Sequence, residues 1–195
     1  MGAGPSEPES PVRGAAYVCG PDNTRVEVAY EPGGAWVFLP GRTARLEQER
    51  AASGARYAGQ GVVWWNKGRS AMLETGASRL NCEASEASTP WVDAKLRGAD
   101  FRAIGNEPGW HLEIHGEQGI TLVTDYGKRT LRFPVAHPRE TENRTVYRTA
   151  TESHTLVVEL RPGPCFDDMS GWEYPTRVTV TLDGQTWQGC GRALH

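Results

Sequence analysis

The sequence predicts an all-β protein built as two small antiparallel β-barrels in series, each closed by a disulfide. Three observations carry this. Short stretches of alternating apolar and polar residues recur along the chain and are bounded by turn signals. Gly (23) and Pro (13) are plentiful among the 195 residues, beside seven Trp, a composition that suits short strands and tight turns. Four cysteines stand at positions 19, 82, 165 and 190, so each successive pair brackets one run of predicted strands.

Residues 1–14 are polar and rich in Gly, Pro, Ser and Glu, and read as a flexible tether with too little apolar surface to fold. From Ala15 to residue 85 the stretches AAYVC, RVEVAY, AWVFL, ARLEQE, GVVWW and SAMLE alternate with GPDN, EPGG, PGRT, ASG, NKG and ETGA. The second set consists of turn chemistry, and its regular spacing predicts a meander or a small closed barrel. A helix competes over TARLEQERAA, but Pro40-Gly41 before it and Ser53-Gly54 after it leave room for only about two or three turns. Residues 86–98 are small, polar and charged and are expected to be a linker. The second unit, 99–195, reads DFRAIGNE, GWHLEIHG, GITLVTD, RTLRFPV, RTVYRTA, HTLVVELR, TRVTVTLD and QTWQGCGRAL. Val178, Val180 and Leu182 fall on one face of a strand there, and Arg177, Thr179 and Thr181 on the other. No long helix is expected in this half.

Charge and cysteine usage narrow the function classes. A net charge of −3 is too small to suggest a nucleic-acid partner. No window approaches the roughly 18 apolar residues of a membrane-spanning helix. The acidity is uneven: residues 15–83 carry eight Lys/Arg against seven Asp/Glu, and residues 98–195 carry ten against thirteen. No CxxC pattern or Cys/His cluster has zinc spacing, so neither a metal nor another cofactor is expected. Widely spaced cysteines in even number suggest disulfides and an oxidising compartment; the alternative is four free thiols in a cytosolic protein. Bracketing pairs Cys19 with Cys82 and Cys165 with Cys190, bridges that would stabilise by about 4 and about 3.5 kcal/mol on a chain-entropy model. The opening MGAGPSEPES has neither a basic nor an apolar leader region. The chain is therefore cytosolic or begins after a removed signal, and the cysteine pattern favours export.

The sharpest local feature is SGARY at 53–57 followed by WWNKG at 64–68. NKG between two apolar runs signals a hairpin, with Gly68 supplying the positive φ. A lysine at such a tip points outward on a base of two tryptophans, of which one is expected in the core and one at the surface. On residues alone, ordinary solvated turn chemistry explains this pattern better than a binding loop does. Residues 17–82, however, resemble the MliC/PliC family, the membrane-bound or periplasmic bacterial inhibitors of c-type lysozyme. The resemblance rests on YVCGPDNTRVEVAY, the short strands, SGARY, the aromatic strand ending in NKG, SAMLE and the closing Cys82.

That resemblance implies an eight-stranded barrel whose ends are joined by Cys19–Cys82. It also implies a c-type lysozyme partner, with Ser53 and Lys67 inserted into the lysozyme cleft from two loops. Gly54, Tyr57, Asn66 and Gly68 complete the expected contact region, Tyr57 packing behind its loop. Asn66 departs from the hydroxyl residue of many relatives, which is expected to alter loop contacts. Lysozyme cuts glycan with two carboxyl groups about 5 Å apart. An ammonium held between them pairs with the ionised one, while a hydroxyl can serve the other. Lysozymes of this type are basic and this unit is not acidic, so long-range steering is expected to be weak or to come from the second unit. The family implies the bacterial periplasm or outer membrane, with anchoring through a lipidated N-terminus.

The second unit resembles uncharacterised bacterial envelope lipoprotein domains, through FRAIGNEPGWHLEI, LVTDYG, PCFDDMSGWEYP and GCGRAL; the resemblance brings no settled activity. His111, Glu113 and His115 share one strand face, but no further metal ligand can be assigned. Asp167, Asp168 and Ser170 form a loop in which the acids are expected to cap backbone amides. No catalytic motif occurs. The leading expectation is thus a non-enzymatic lysozyme inhibitor. The alternatives are a non-inhibitory envelope binding or assembly module, and an enzyme working through the Asp167/Asp168 loop.

Overall fold

The computed structural model describes residues 14–76, 78–86 and 89–195. The tether expected over 1–14 lies outside the described residues except for Gly14, which begins the first strand.

The first unit comprises β1 (Gly14–Cys19), β2 (Thr24–Glu31), β3 (Gly34–Leu39), β4 (Arg42–Glu49), β5 (Ala55–Gly59), β6 (Val62–Lys67), β7 (Ser70–Thr75) and β8 (Ser78–Glu86). All neighbours are antiparallel, and β8 pairs with β1 to close the barrel. Period-2 patterning drives this. In β4, Ala44 and Leu46 are buried while Arg45 and Glu47 face solvent, so alternation wins over the competing helix. The interior is filled by Trp64, whose ring meets Tyr17 edge-on at 4.7 Å and whose Nε1 donates to Tyr30 Oη at 3.0 Å. Tyr17 and Tyr30 share a further hydroxyl bond of 3.0 Å, which satisfies the polar ends of buried aromatics. Burial pushes the Tyr30 phenol far above its ordinary range.

The second unit comprises α1 (Pro90–Leu96), β9 (Phe101–Asn106), β10 (Gly109–His115), β11 (Gly119–Thr124), a 3-10 turn (Asp125–Gly127), β12 (Arg129–Phe133), β13 (Arg139–Thr141), β14 (Arg144–Ala150), β15 (Thr155–Phe166), β16 (Glu173–Leu182) and β17 (Gln185–Ala193). The nine strands form one curled sheet in the order β12-β11-β10-β9-β17-β16-β15-β14-β13. Its core holds Leu112, Leu122, Leu156, Val158, Val178, Val180 and Leu182; the last three are the stripe read from the sequence. Both disulfides form as expected. Cys19–Cys82 joins directly paired residues of β1 and β8, and Cys165–Cys190 ties β15 to β17 across β16. The all-β reading in two disulfide-closed units holds, with a complete barrel first and a curled sheet second.

The expected linker contains the one α-helix among the described residues. Thr89 caps α1, its Oγ1 accepting from Val92 N at 3.2 Å, and Pro90 opens it, the arrangement that favours helix starts. The helix buries Trp91, Val92 and Ala94. These join Ala29 and Phe38 of the barrel with Tyr174, Cys190 and Leu194 of the sheet in a third apolar cluster. Arg192 runs through it, 1% exposed. Its Nη2 donates to Leu39 O at 3.1 Å, and its guanidinium stands 5.2 Å from the Tyr174 ring, 5.6 Å from Phe38 and 5.9 Å from Trp91. Burial lowers its pKa to about 10, so it remains charged at neutral pH.

Candidate functional site: two loops on one barrel rim

In a closed up-and-down barrel, alternate connections lie at opposite ends. The β2–β3, β4–β5 and β6–β7 connections therefore share one rim. Ser53 sits in the β4–β5 loop and Lys67 at the end of β6, so topology alone brings the two residues to the same end. Both are exposed.

Short-range contacts join the two loops. Trp65 Nε1 donates to Ser53 O at 2.9 Å. Gly54 adopts φ +68°, and a Cβ there would lie 2.3 Å from Asn66 O and 2.7 Å from Lys67 Cγ. Only glycine allows the backbones to approach this closely in that conformation. Lys67 Nζ lies 5.9 Å from the centroid of the Trp65 ring. Trp65 is half-buried and Trp64 fully buried, the division that strand alternation predicts. Tyr57 is in the barrel core, its ring 5.7 Å from Tyr30, and thus behind the loop. Gly68 takes φ +58° as expected. The turn itself is Gly68-Arg69, because Lys67 pairs with Ser70 in the ladder. Asn66 also belongs to the ladder, opposite Ala55 and Ala71, and its Oδ1 is buried with no hydrogen-bond partner among the described residues.

Sequence reasoning missed the brace beneath this hairpin. Arg69 Nη2 donates to Ala84 O at 2.9 Å, Ala84 N returns a bond to Arg69 O at 2.8 Å, and Ser70 Oγ donates to Glu83 Oε1 at 2.6 Å. The sequence signal was an arginine immediately after NKG; its partner lies fifteen residues away and is fixed only by barrel closure.

The second unit's candidate residues are occupied structurally. Glu113 accepts from Arg97 Nη2 at 2.7 Å and Arg102 Nη1 at 2.5 Å, with His115 Nε2 3.5 Å away. Burial raises its pKa, but Arg102 and Arg97 outweigh this and hold the carboxyl below its ordinary range. Burial lowers the His111 pKa, aided by Arg102. No group of three or more potential metal ligands occurs among the described residues. Asp167 caps its own loop, accepting from Ser170 N at 2.8 Å and Ser170 Oγ at 2.5 Å, and also accepts from Asn106 Nδ2 at 2.6 Å. Burial opposes its ionisation, but these bonds win and hold its pKa low. Asp168 is exposed while Asp167 is buried, so the adjacent acids diverge.

The contacts between the units come from β1–β4 and the β3–β4 turn, where Gly41 N donates to Glu173 O at 3.0 Å and Thr43 Oγ1 to Ala193 O at 3.5 Å. Comparison with known proteins found no match among curated proteins or solved structures. A family model described as membrane-bound lysozyme-inhibitor of c-type lysozyme, MliC, matches residues 17–81. The matched segment runs from Tyr17 in β1 to Asn81 in β8 and takes in both rim loops, so the first barrel is similar to the MliC family.

Proposed function

We propose that the protein inhibits c-type lysozyme without catalysis, by inserting Ser53 and Lys67 into the lysozyme cleft. The family match over 17–81 supports lysozyme inhibition and an envelope location. The mechanism is carried by one observation: the Ser53 loop and the Lys67 hairpin are exposed on one rim and tied together through Trp65 and Gly54. A rigid pair loses little freedom on docking. In the cleft, the Lys67 ammonium would pair with the ionised carboxylate of the glycan-cutting pair, in a place shielded from water where a charged hydrogen bond is strong. Ser53 Oγ would serve the second carboxyl group. Tyr57 supports the loop from within.

Losing one partner of a desolvated charged pair costs about 2–5 kcal/mol. Lys67→Ala in the full chain should therefore raise the concentration giving half-inhibition of a c-type lysozyme about 30-fold or more. The measurement is clearing of a Gram-positive cell suspension by lysozyme titrated with protein. A shift within about twofold would remove Lys67 from the mechanism. Absence of inhibition by the parent would favour a non-inhibitory envelope-binding module.

A further inference from the structure

The outer face of β13–β16 carries an array of arginines remote in sequence from the rim loops, only some of which are paired within the sheet. The register opposes Thr141 to Arg144, Arg139 to Val146, Val146 to Glu159, Arg148 to Val157 and Arg161 to Arg177. Opposed residues of an antiparallel pair share a face, as do alternate residues along a strand. Arg139, Arg144, Arg148, Arg161 and Arg177 therefore lie on one side of the sheet. Leu156, Val158, Leu160, Val178 and Val180 occupy the other side and form the core. All five arginines are exposed.

Acidic groups are few here. Glu159 accepts from Arg144 Nη1 at 3.3 Å and Arg161 Nε at 2.5 Å, Glu142 lies in the β13–β14 turn, and Glu173 lies at the start of β16 on the same face as Arg177. Arg177 Nε donates to Pro164 O at 3.0 Å. A net positive face thus sits on a unit with more acidic than basic residues overall, ten Lys/Arg against thirteen Asp/Glu over 98–195. Placing Arg161 directly opposite Arg177 opposes folding, since like charges across a strand pair repel.

We propose that this face docks onto an anionic phospholipid surface. The array is two-dimensional, with strands about 4.8 Å apart and alternate residues about 7 Å apart along each. It lies on the outside of a curled sheet, and so meets a plane of phosphates better than a single threaded polymer. Guanidinium forks engage phosphate oxygens in pairs. The face lies outside residues 17–81, so the proposal stands or falls independently of lysozyme inhibition.

The test is co-sedimentation of the full chain with vesicles of phosphatidylcholine containing about 30% phosphatidylglycerol, against vesicles of phosphatidylcholine alone. Binding should require the anionic lipid and disappear at about 0.5 M salt. The pair Arg148→Gln and Arg177→Gln should weaken it about 25-fold, at roughly fivefold per surface arginine. The pair Lys128→Gln and Arg132→Gln removes the same charge outside β13–β16 and should leave binding within about threefold. Matching thermal unfolding shows that the first pair folds; if it does not, Arg148→Gln alone should weaken binding about fivefold. Equal weakening by both pairs, or no preference for the anionic vesicles, overturns the proposal. Arginine-dependent binding of soluble poly-glutamate without vesicle binding also overturns it, in favour of an acidic polypeptide partner.

Discussion

Glu113 illustrates how a single ionised group ties stability to pH. It is 8% exposed and faces Arg97, Arg102 and His115. Burial alone would raise its pKa, but the two arginines lower it below the unfolded value. Its ionised form therefore contributes stability in full above the unfolded pKa of about 4.3, and that contribution is lost as pH falls through the lower folded value. Glu113→Gln should cost about 2 kcal/mol at pH 7, because it leaves the buried Arg102 short of its counter-charge. Denaturant unfolding of parent and variant should differ by much less at pH 3. A pH-independent difference would mean that packing, rather than charge, sets the cost.

The β4–β5 loop and β6–β7 hairpin act as one element because Gly54 lets them touch. Gly54→Ala should cost about 2 kcal/mol for the left-handed backbone alone, and its Cβ would push against Asn66 O and Lys67 Cγ. Inhibition should weaken although neither Ser53 nor Lys67 is changed. Comparing lysozyme titrations with unfolding curves separates the two effects: a destabilised variant that still inhibits fully once folded would show that the loops need no common anchor. Most strand elements were legible from alternation and turn residues. The hairpin turn was read as Asn66-Lys67-Gly68, whereas the ladder runs through Lys67 and the turn is Gly68-Arg69, because a two-residue connection matches the strand twist. The helix at Pro90–Leu96 went unread although Thr89-Pro90 is a sound start signal; seven residues are too few for a helical period to stand out.

Taken together, the units interlock through Arg192. Its Nε and Nη1 have no hydrogen-bond partner among the described residues, so its hold on Phe38, Trp91 and Tyr174 comes from packing and ring contact as much as from the bond to Leu39 O. Arg192→Ala should cost about 3 kcal/mol by leaving a cavity and should split unfolding into two transitions. Arg192→Met fills the space without burying a charge and should stay within about 1 kcal/mol of the parent, with one transition. Calorimetry and tryptophan fluorescence give the readouts. A parent that already unfolds in two steps would show that the shared cluster does not couple the units.

The strand pattern and the turn signals could be read directly from the residues, because each depends on neighbours in the chain. The two cystines followed from how the cysteines bracket the predicted strands, and the roles of Ser53 and Lys67 were expected only from the family resemblance. Four features could not be read. These are the brace from Arg69 to Ala84, the passage of Arg192 between the units, the ion pairs around Glu113 and the arginine face of β13–β16. Each depends on which strand lies beside which, and in what register. Long-range pairing and burial set that, and no local period records them.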